Sequence, residues 1–447
     1  MHTDFLLERF RTAGSAPALV WRDREYGYDW LLREVGEAAS FLERERMPAG
    51  AVIALEADFS PRAVAMLLAL VERNAVLVPL TSSVESKKPE FREIAEVECR
   101  IVIGADDMIR VEGTGTVASH PLICSLKERR HPGLILFSSG STGKSKAALH
   151  DLVPMLEKFK VPRHTKRTIT FLLFDHIGGF NTLFYNLSNA GCVITVADRN
   201  PETIVGAIER HRVQLLPTSP TFINLLLVSE AWKGRDLSSL ETVTYGTEVM
   251  PESTLRRFNE AFPNVATLQT YGLSEVGILR SKSRSSDSLW VKVGGEGFET
   301  RIVDGMLEIK AKSAMLGYLN APSPFTADGW FKTGDAVLVD GEWIRILGRK
   351  SELINVGGEK VYPAEVESVL QTMDNVEDVA VTGLPSPITG QIVFARIKLR
   401  QPEPIAAFRA RLREFCRDRL DRFKIPQKIE LVDDTLHGER YKKMRRI

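Results

Sequence analysis

The sequence predicts an α/β protein in which a large amino-terminal domain of α/β subdomains, with a small β-rich subdomain, precedes a small α+β carboxy-terminal domain. Three observations predict it. Between Leu19 and Pro79, segments of helical periodicity (Trp30 to Leu42, Pro61 to Glu72) alternate with short apolar runs (Ala51 to Leu55, Ala75 to Leu80), the rhythm of parallel β-α-β units. The rhythm returns with candidate strands at Thr168 to Phe174, Cys192 to Val196, Val213 to Leu216 and Thr242 to Tyr245. After about Tyr318 the texture changes to Asp/Gly turns and short strands, Ala336 to Asp340 and Trp343 to Leu347. A polar junction, Gly348-Arg349-Lys350-Ser351-Glu352, follows. Beyond it, helices at Pro363 to Thr372 and Ile405 to Leu420 mix with strands at Val379 to Gly383 and Ile392 to Leu399. The expected divisions are 1–347, a hinge at 348–351, and 352–447. The Arg/Lys/Ser run from Arg280 to Ser286 reads as an exposed loop.

Charge and cysteine usage narrow the class. With 59 basic and 58 acidic side chains the formal net charge is +1, so no bulk electrostatic argument favours nucleic acid or an anionic membrane. Cys99, Cys124, Cys192 and Cys416 show neither a C-x-x-C pair nor metal-ligand spacing, and reduced thiols are expected. The apolar run Ala63 to Val71 is too short to cross a bilayer. A cytoplasmic protein without membrane insertion is therefore expected, its oligomeric state left open.

Phosphate chemistry is written most plainly at Ser138-Ser139-Gly140-Ser141-Thr142-Gly143-Lys144-Ser145-Lys146, directly after the apolar run Leu134 to Phe137. A Gly/Ser/Thr turn beyond a buried strand can aim backbone N–H groups and hydroxyls at an anion while lysines balance its charge. It is not a P-loop, because Ser138 stands where that motif requires its first glycine. Further on, Tyr271-Gly272-Leu273-Ser274-Glu275 gathers an aromatic face, a turn, a hydroxyl and a carboxylate, suited to a base, a phosphate and magnesium. Thr333-Gly334-Asp335 ends in an acid able to accept ribose hydroxyls. The tail Tyr441 to Arg446 offers a mobile cation.

Taken in order, these segments resemble the acyl-adenylate-forming superfamily of AMP-dependent synthetases and ligases. Ser138 to Ala147 is similar to its phosphate loop, Tyr271 to Glu275 to its Y-G-x-[ST]-E, Thr333 to Asp335 to its T-G-D, and Gly348 to Glu367 to its interdomain junction. The texture beyond Gly348 is closest to o-succinylbenzoate-type and other aryl-CoA ligases. The resemblance implies that ATP and Mg²⁺ serve to join a carboxylic acid to AMP with release of pyrophosphate, and that the acyl group then passes to a thiol, coenzyme A or a carrier protein's phosphopantetheine. By the same resemblance Ser138, Ser139, Gly140, Ser141, Thr142, Gly143 and Lys146 would enclose the β and γ phosphates. Gly246, Thr247 and Glu248 would lie along the adenine and Tyr271 would stack near it, with Gly272 beside it. Ser274 would contact the α-phosphate, Glu275 would hold Mg²⁺, and Asp335 and Arg349 would hold the ribose. Ser145 and Ala147 replace the family's usual proline and glycine.

The tail leaves two registers. Lys442 is preferred as the lysine bridging carboxylate and phosphate, with Lys443 the alternative. Ser351 matches the hinge about which the second domain turns, bringing Gly357 and Gly358 to the thiol channel. The acyl pocket would be walled by His176, Ile177, Gly178, Phe180, Tyr245 and Gly272, with Gly178 and Gly179 leaving room for bulk. Asp175 raises an amino-acid substrate, although it falls too early in the segment for that role. Arg280, Lys282 and Arg284 are candidates for the 3′-phosphate of coenzyme A. Two other readings remain, an enzyme that loads a carrier protein or forms an amide, and an inactive nucleotide-binding regulator.

Overall fold

The computed structural model describes residues 2–139 and 145–445; of Ser139 only the backbone is described. Two seven-stranded sheets, a six-stranded antiparallel sheet and a five-stranded sheet carry the chain. In one large sheet, Val52–Glu56 pairs in parallel with Val76–Leu80 and with Cys99–Ile103, and Val76–Leu80 pairs in parallel with Gly133–Ser139. The return strand Ser145–Asp151 is antiparallel to Gly133–Ser139, so the phosphate-loop segment joins two neighbouring strands. In the other large sheet, Arg167–Ile169, Leu215–Thr218, Thr242–Tyr245 and Ala266–Gln269 follow one another in parallel.

Local chemistry starts the helices where the apolar periodicity begins. The helix Pro61–Glu72 opens with proline in its first turn, and Ser60 Oγ accepts from Ala63 N–H at 3.1 Å. Asn200 and Ser219 cap Pro201–His211 and Pro220–Ser229 in the same way. The apolar faces of Tyr28–Arg44, Pro61–Glu72 and Ile177–Ser188 share one core with Val193 of one large sheet and Ile53, Leu77 and Leu134 of the other. That core fixes the two sheets relative to each other.

Three expectations differ from the structure. The alternation expected as one run from Leu19 is split: Pro17–Trp21 pairs antiparallel with Arg24–Gly27 and in parallel with Cys192–Ile194, which puts it in the other large sheet from Val52–Glu56. Arg280–Ser283 is a strand rather than a loop, paired antiparallel with Trp290–Gly294. It is an edge strand whose Arg280 and Lys282 face solvent, the charged edge that resists further pairing. The strand expected over Thr168 to Phe174 stops at Ile169, and Thr170 to His176 turns instead into the next helix.

The five-stranded sheet is built from residues within 354–431, with Pro363–Leu370 and Ile405–Cys416 against it. It meets the rest of the chain through Ser368, whose Oγ donates to Ser253 Oγ at 3.1 Å, and through Gln371, which accepts from Thr254 Oγ1 at 3.0 Å. No helix among the described residues is long and apolar enough to cross a membrane.

Candidate active site

A cavity of about 1000 Å³ opens where the large sheets, the antiparallel sheet and the carboxy-terminal tail converge. Its floor follows from strand parity. Side chains alternate faces along a strand, so Thr242 and Thr244 line the cavity while Val243 and Tyr245 enter the core beneath. Neighbouring strands add Leu215, Pro217, Leu268 and Thr270 to the same face. This corrects the expectation for Tyr245, whose ring is 1% exposed and turned away from the cavity.

The helix Ile177–Ser188 forms another wall and obeys helical spacing. Ile177, Gly178, Asn181, Thr182, Tyr185 and Ser188 face the cavity. Phe180 lies on the opposite face, stacked on Phe184 in the core, and is not a pocket residue. The polar i, i+3, i+4 stripe was the available signal for Asn181, Thr182 and Tyr185. Gly179 does not leave room for a ligand either, since a Cβ there would stand 1.9 Å from the Leu173 carbonyl oxygen. It is glycine because the backbone passes too close for anything else.

His176 caps this helix, its Nδ1 accepting from Gly178 N–H at 3.1 Å, which assigns the ring proton to Nε2. Burial, with Lys442 and Arg440 nearby, holds the imidazole well below its usual range. It is therefore a neutral hydrogen-bond donor in the cavity wall. Asp175 beside it does not line the cavity. It accepts from Thr81 Oγ1 at 2.7 Å and from the Arg440 guanidinium of the tail at 3.1 Å.

Ser274 and Glu275 line the cavity together with Ser138, Gly246, Thr247, Gly272 and Arg349. Thr247 is held at φ 70, an uncommon backbone for a β-branched residue, and so stores strain at the cavity rim. Gly140, Ser141, Thr142 and Gly143 lie outside the described residues. The exit of their loop is fixed by Asn320, which donates to Ser145 O at 2.8 Å and accepts from Ala147 N–H at 3.0 Å. Ala147 sits in an ordinary strand without positive φ, so its methyl group costs the loop nothing.

Tyr318, given no site role by the sequence, ties this region together. Its hydroxyl donates to Glu275 Oε1 at 2.5 Å, and Lys146 Nζ stands 5.3 Å from its ring centroid. A cavity-lining carboxylate held in place beside a lysine fits a magnesium ion shared with phosphate oxygens. Tyr318 reaches this place because Gly317–Tyr318 pairs with the strand that follows the phosphate loop, a partner too distant in sequence to be foreseen.

Tyr271 and Asp335 are brought together but not into the cavity wall. The Tyr271 hydroxyl donates to Asp335 Oδ2 at 2.5 Å, and both side chains are under 10% exposed. Burial, and then the Asp335 charge, raises the phenol well above its usual range. Burial likewise raises Asp335, against the opposing Arg349 guanidinium, whose Nε lies 3.5 Å from Oδ1. The stacking role expected for Tyr271 is replaced, in this conformation, by a hydroxyl that positions the acid.

The tail separates its two lysines. Both line the cavity, but burial first, with the Arg440 and Arg349 charges, lowers Lys442 to about 8, opposed by Glu248. The Lys443 ammonium is instead paired with the buried Asp378 of the five-stranded sheet. Glu248 does not lie along the cavity as expected. Its carboxylate accepts from Thr221 Oγ1 at 2.6 Å and from the Lys443 backbone N–H, and so anchors the tail. Ser219 donates to Tyr441 O at 2.6 Å and Arg199 donates to Glu439 O at 3.0 Å. Gly357 and Gly358 form the exposed turn between Ile354–Val356 and Glu359–Val361 and are not at the cavity. Ser351 is exposed in the turn Lys350–Glu352.

One cavity lined by Ser274, Glu275, Arg349 and the tail's Lys442 is the arrangement expected of an adenylate-forming enzyme. The chain belongs to the AMP-binding enzyme family, whose model matches residues 6–319, while the model of that family's C-terminal domain matches 365–443. It is 26% identical to the indoleacetate–CoA ligase of Aromatoleum aromaticum, over 95% of this chain and 93% of that protein. It is 25% identical to the 2-succinylbenzoate–CoA ligase of Bacillus pumilus, over 96% and 94%. The fold is shared with the anthranilate CoA ligase AuaEII in complex with anthranoyl-AMP, at a TM-score of 0.80 and 20% identity over 99% of this chain and 95% of that one. It is shared also with the amide bond synthetase McbA from Marinactinospora thermotolerans, at 0.76 and 21% over 98% and 97%.

Proposed function

We propose that this enzyme activates a carboxylic acid with ATP and passes the acyl group to the thiol of coenzyme A. A carboxylate oxygen attacks the α-phosphorus, the bond from that phosphorus to the bridging oxygen breaks, and pyrophosphate leaves. The thiol sulfur then attacks the acyl carbon and AMP departs. The observation that carries the reading is Lys442, a half-buried cation in the same cavity wall as Ser274, Glu275 and Arg349. Two anions must meet in the first step, and a fixed cation in a poorly solvated site lowers their repulsion as the new bond forms. Ser274 and the loop from Ser138 to Lys146 would hold the phosphates, Arg349 and Asp335 the ribose, and Glu275 a magnesium ion that offsets phosphate charge. His176 would donate to the acid from the wall. The engagement of Asp175 with Arg440 and Thr81 favours an acid without an α-amine.

The test is acid-dependent exchange of labelled pyrophosphate into ATP without thiol, using pooled aryl, aliphatic and amino acids. Exchange with an aryl or aliphatic pool, followed by thioester formation on adding coenzyme A, is expected. ATP binding without exchange by any pool would overturn the reading.

Two further results are expected. Lys442 is cationic below a free-enzyme pKa of about 8, so kcat/KM for ATP in the exchange assay falls as pH rises through that value. A profile with no limb there would remove Lys442 from the role given to it. Ser351 lies in a single 3-10 turn, whose usual φ a proline can adopt, so Ser351→Pro should fit this conformation but oppose rotation about it. Exchange should survive within about 3-fold, while coenzyme A-dependent turnover falls about 100-fold or more, as for a blocked conformational step. Equal loss of both half-reactions would place the hinge elsewhere.

A further inference from the structure

The cavity carries a second basic group that the chemistry above does not use. Lys158, in the short turn Glu157–Phe159, lines the wall opposite in origin to the tail, beside Arg163 and the segment Ile278 to Ser281. Its ammonium donates to the Ile278 carbonyl oxygen at 3.1 Å and stands 5.0 Å from the Phe159 ring centroid. It forms no ion pair among the described residues. An ammonium has three donors, and one carbonyl does not satisfy it.

The neighbours do not compensate the charge either. Arg163, His164, Lys166 and Arg280 line the same stretch of wall, Arg163 and Arg280 acting on Lys158 with like charge and Lys166 being paired with Glu241 outside the cavity. Among the described residues the acids lining the cavity are Glu275, held by Tyr318, and Glu439 of the tail. Burial first, then Arg163 and Arg280, lowers Lys158 to about 7. The groups that act on Lys442 are different ones, Glu248, Arg440 and Arg349. One cavity thus holds two electrostatic neighbourhoods, one suited to the reacting phosphate and carboxylate, the other cationic and unmatched. A cavity-lining ammonium without a counter-ion, among like charges, is held more readily as a cation when a ligand supplies an anionic partner.

We propose that the acid taken by this enzyme carries a second carboxylate at the end remote from the one activated, and that Lys158 pairs it, with Arg163 and Arg280 reinforcing the attraction. The proposal rests on the acid-activating function above. Between the two ends, Asn181, Thr182, Tyr185, Thr242 and Thr244 offer hydrogen bonds rather than an apolar tunnel, as a polar, doubly charged acid requires.

The experiment compares matched acids in pyrophosphate exchange without thiol: hexanoate with adipate, pentanoate with glutarate, and 3-phenylpropanoate with 3-(2-carboxyphenyl)propanoate. For at least one pair the dicarboxylate should exceed its partner about 10-fold or more in kcat/KM. Lys158→Met should lower that ratio about 100-fold, mainly through KM of the acid, the scale on which losing one partner of a close charge pair acts. Lys158→Arg should restore part of it. Because both acids are assayed on one preparation, loss of folded protein cancels in the ratio. In the unsubstituted enzyme the ratio should also fall as pH rises through about 7, a limb the monocarboxylate lacks.

Exchange with monocarboxylates that equals or exceeds their partners, with a ratio indifferent to Lys158→Met, overturns the second-carboxylate proposal alone. A Lys158→Met effect confined to KM for coenzyme A in the complete reaction also overturns it, by giving the cation to the thiol substrate's phosphates. Failure of every acid to support exchange overturns the activating function and this proposal with it.

Discussion

Lys442→Met is expected to lower acid-dependent pyrophosphate exchange about 100- to 1000-fold, the usual effect of removing one preorganised group that meets transition-state charge. Methionine keeps the length and apolar body of the lysine, so the tail anchors at Ser219, Glu248 and Asp175 remain available. Thioester formation from presynthesised acyl adenylate should change far less, because that step occurs after the two anions have already been joined. The alternative register provides the control. Lys443 spends its charge on Asp378, with both side chains only 4% exposed, so Lys443→Met should act first on stability. It leaves a buried carboxylate unpaired, a loss on the order of 3–5 kcal/mol. If Lys443→Met abolished exchange in folded protein while Lys442→Met did not, the assignment of the two lysines would be reversed.

Arg445→Ala should destabilise the carboxy-terminal domain as strongly as Lys443→Met. Arg445 forms a two-pronged pair with Glu367, Nε to Oε1 at 2.9 Å and a terminal nitrogen to Oε2 at 2.8 Å, and reaches Glu352 at 3.1 Å. Glu367 is 1% exposed and also accepts from Val381 N–H at 2.9 Å. Burial alone would raise this acid, yet Arg445 above all, with Lys443, holds it below the ordinary range. The pair's contribution is therefore present above the unfolded glutamate range and is lost as pH falls through the lower folded value. Removing the guanidinium reverses the balance, since burial then dominates and Glu367 prefers to be neutral. Urea unfolding at neutral pH should show a loss of about 3–5 kcal/mol in the carboxy-terminal domain, shrinking as the solution is acidified. Adding Glu367→Gln keeps the acceptor for Val381 and should recover part of the loss. A double variant no more stable than Arg445→Ala would mean that contacts other than the ion pair hold the tail.

Periodicity made much of the frame legible. Pro61–Glu72 and Thr242–Tyr245 run over the segments where apolar spacing and flanking turns place them. The segments that resemble the family's motifs led to Ser274, Glu275, Arg349, His176 and Lys442, which the structure gathers around one cavity. What was not legible depended on facing and on distant partners. Tyr245 and Phe180 lie within the right segments but on the wrong faces, an error that strand parity and helical spacing would have caught. Glu248 could not be read as a tail anchor, because its partner lies 195 residues away. Tyr318 and Asn320 carry no motif of their own in the sequence reading, and they matter because a two-residue strand lays them against the exit of the phosphate loop. Lys158 looked like one charge among 59 until burial without a counter-ion set it apart.

The alternation along Thr242–Tyr245 and the strand beside it has a consequence for how such an enzyme diversifies. Thr242, Thr244, Leu268 and Thr270 face the cavity, while Val243, Tyr245, Thr267 and Gln269 on the same strands are buried beneath. A substitution at Thr242, Thr244 or Leu268 re-cuts the pocket while leaving the buried residues beneath in place, whereas Thr270 also donates its hydroxyl to Tyr245 O at 3.1 Å and carries a structural cost. Substrate preference and structural integrity are thus inherited through separate letters of one short word. A descendant can explore new acids one position at a time, and a designer wishing to retool the enzyme would begin with the first three.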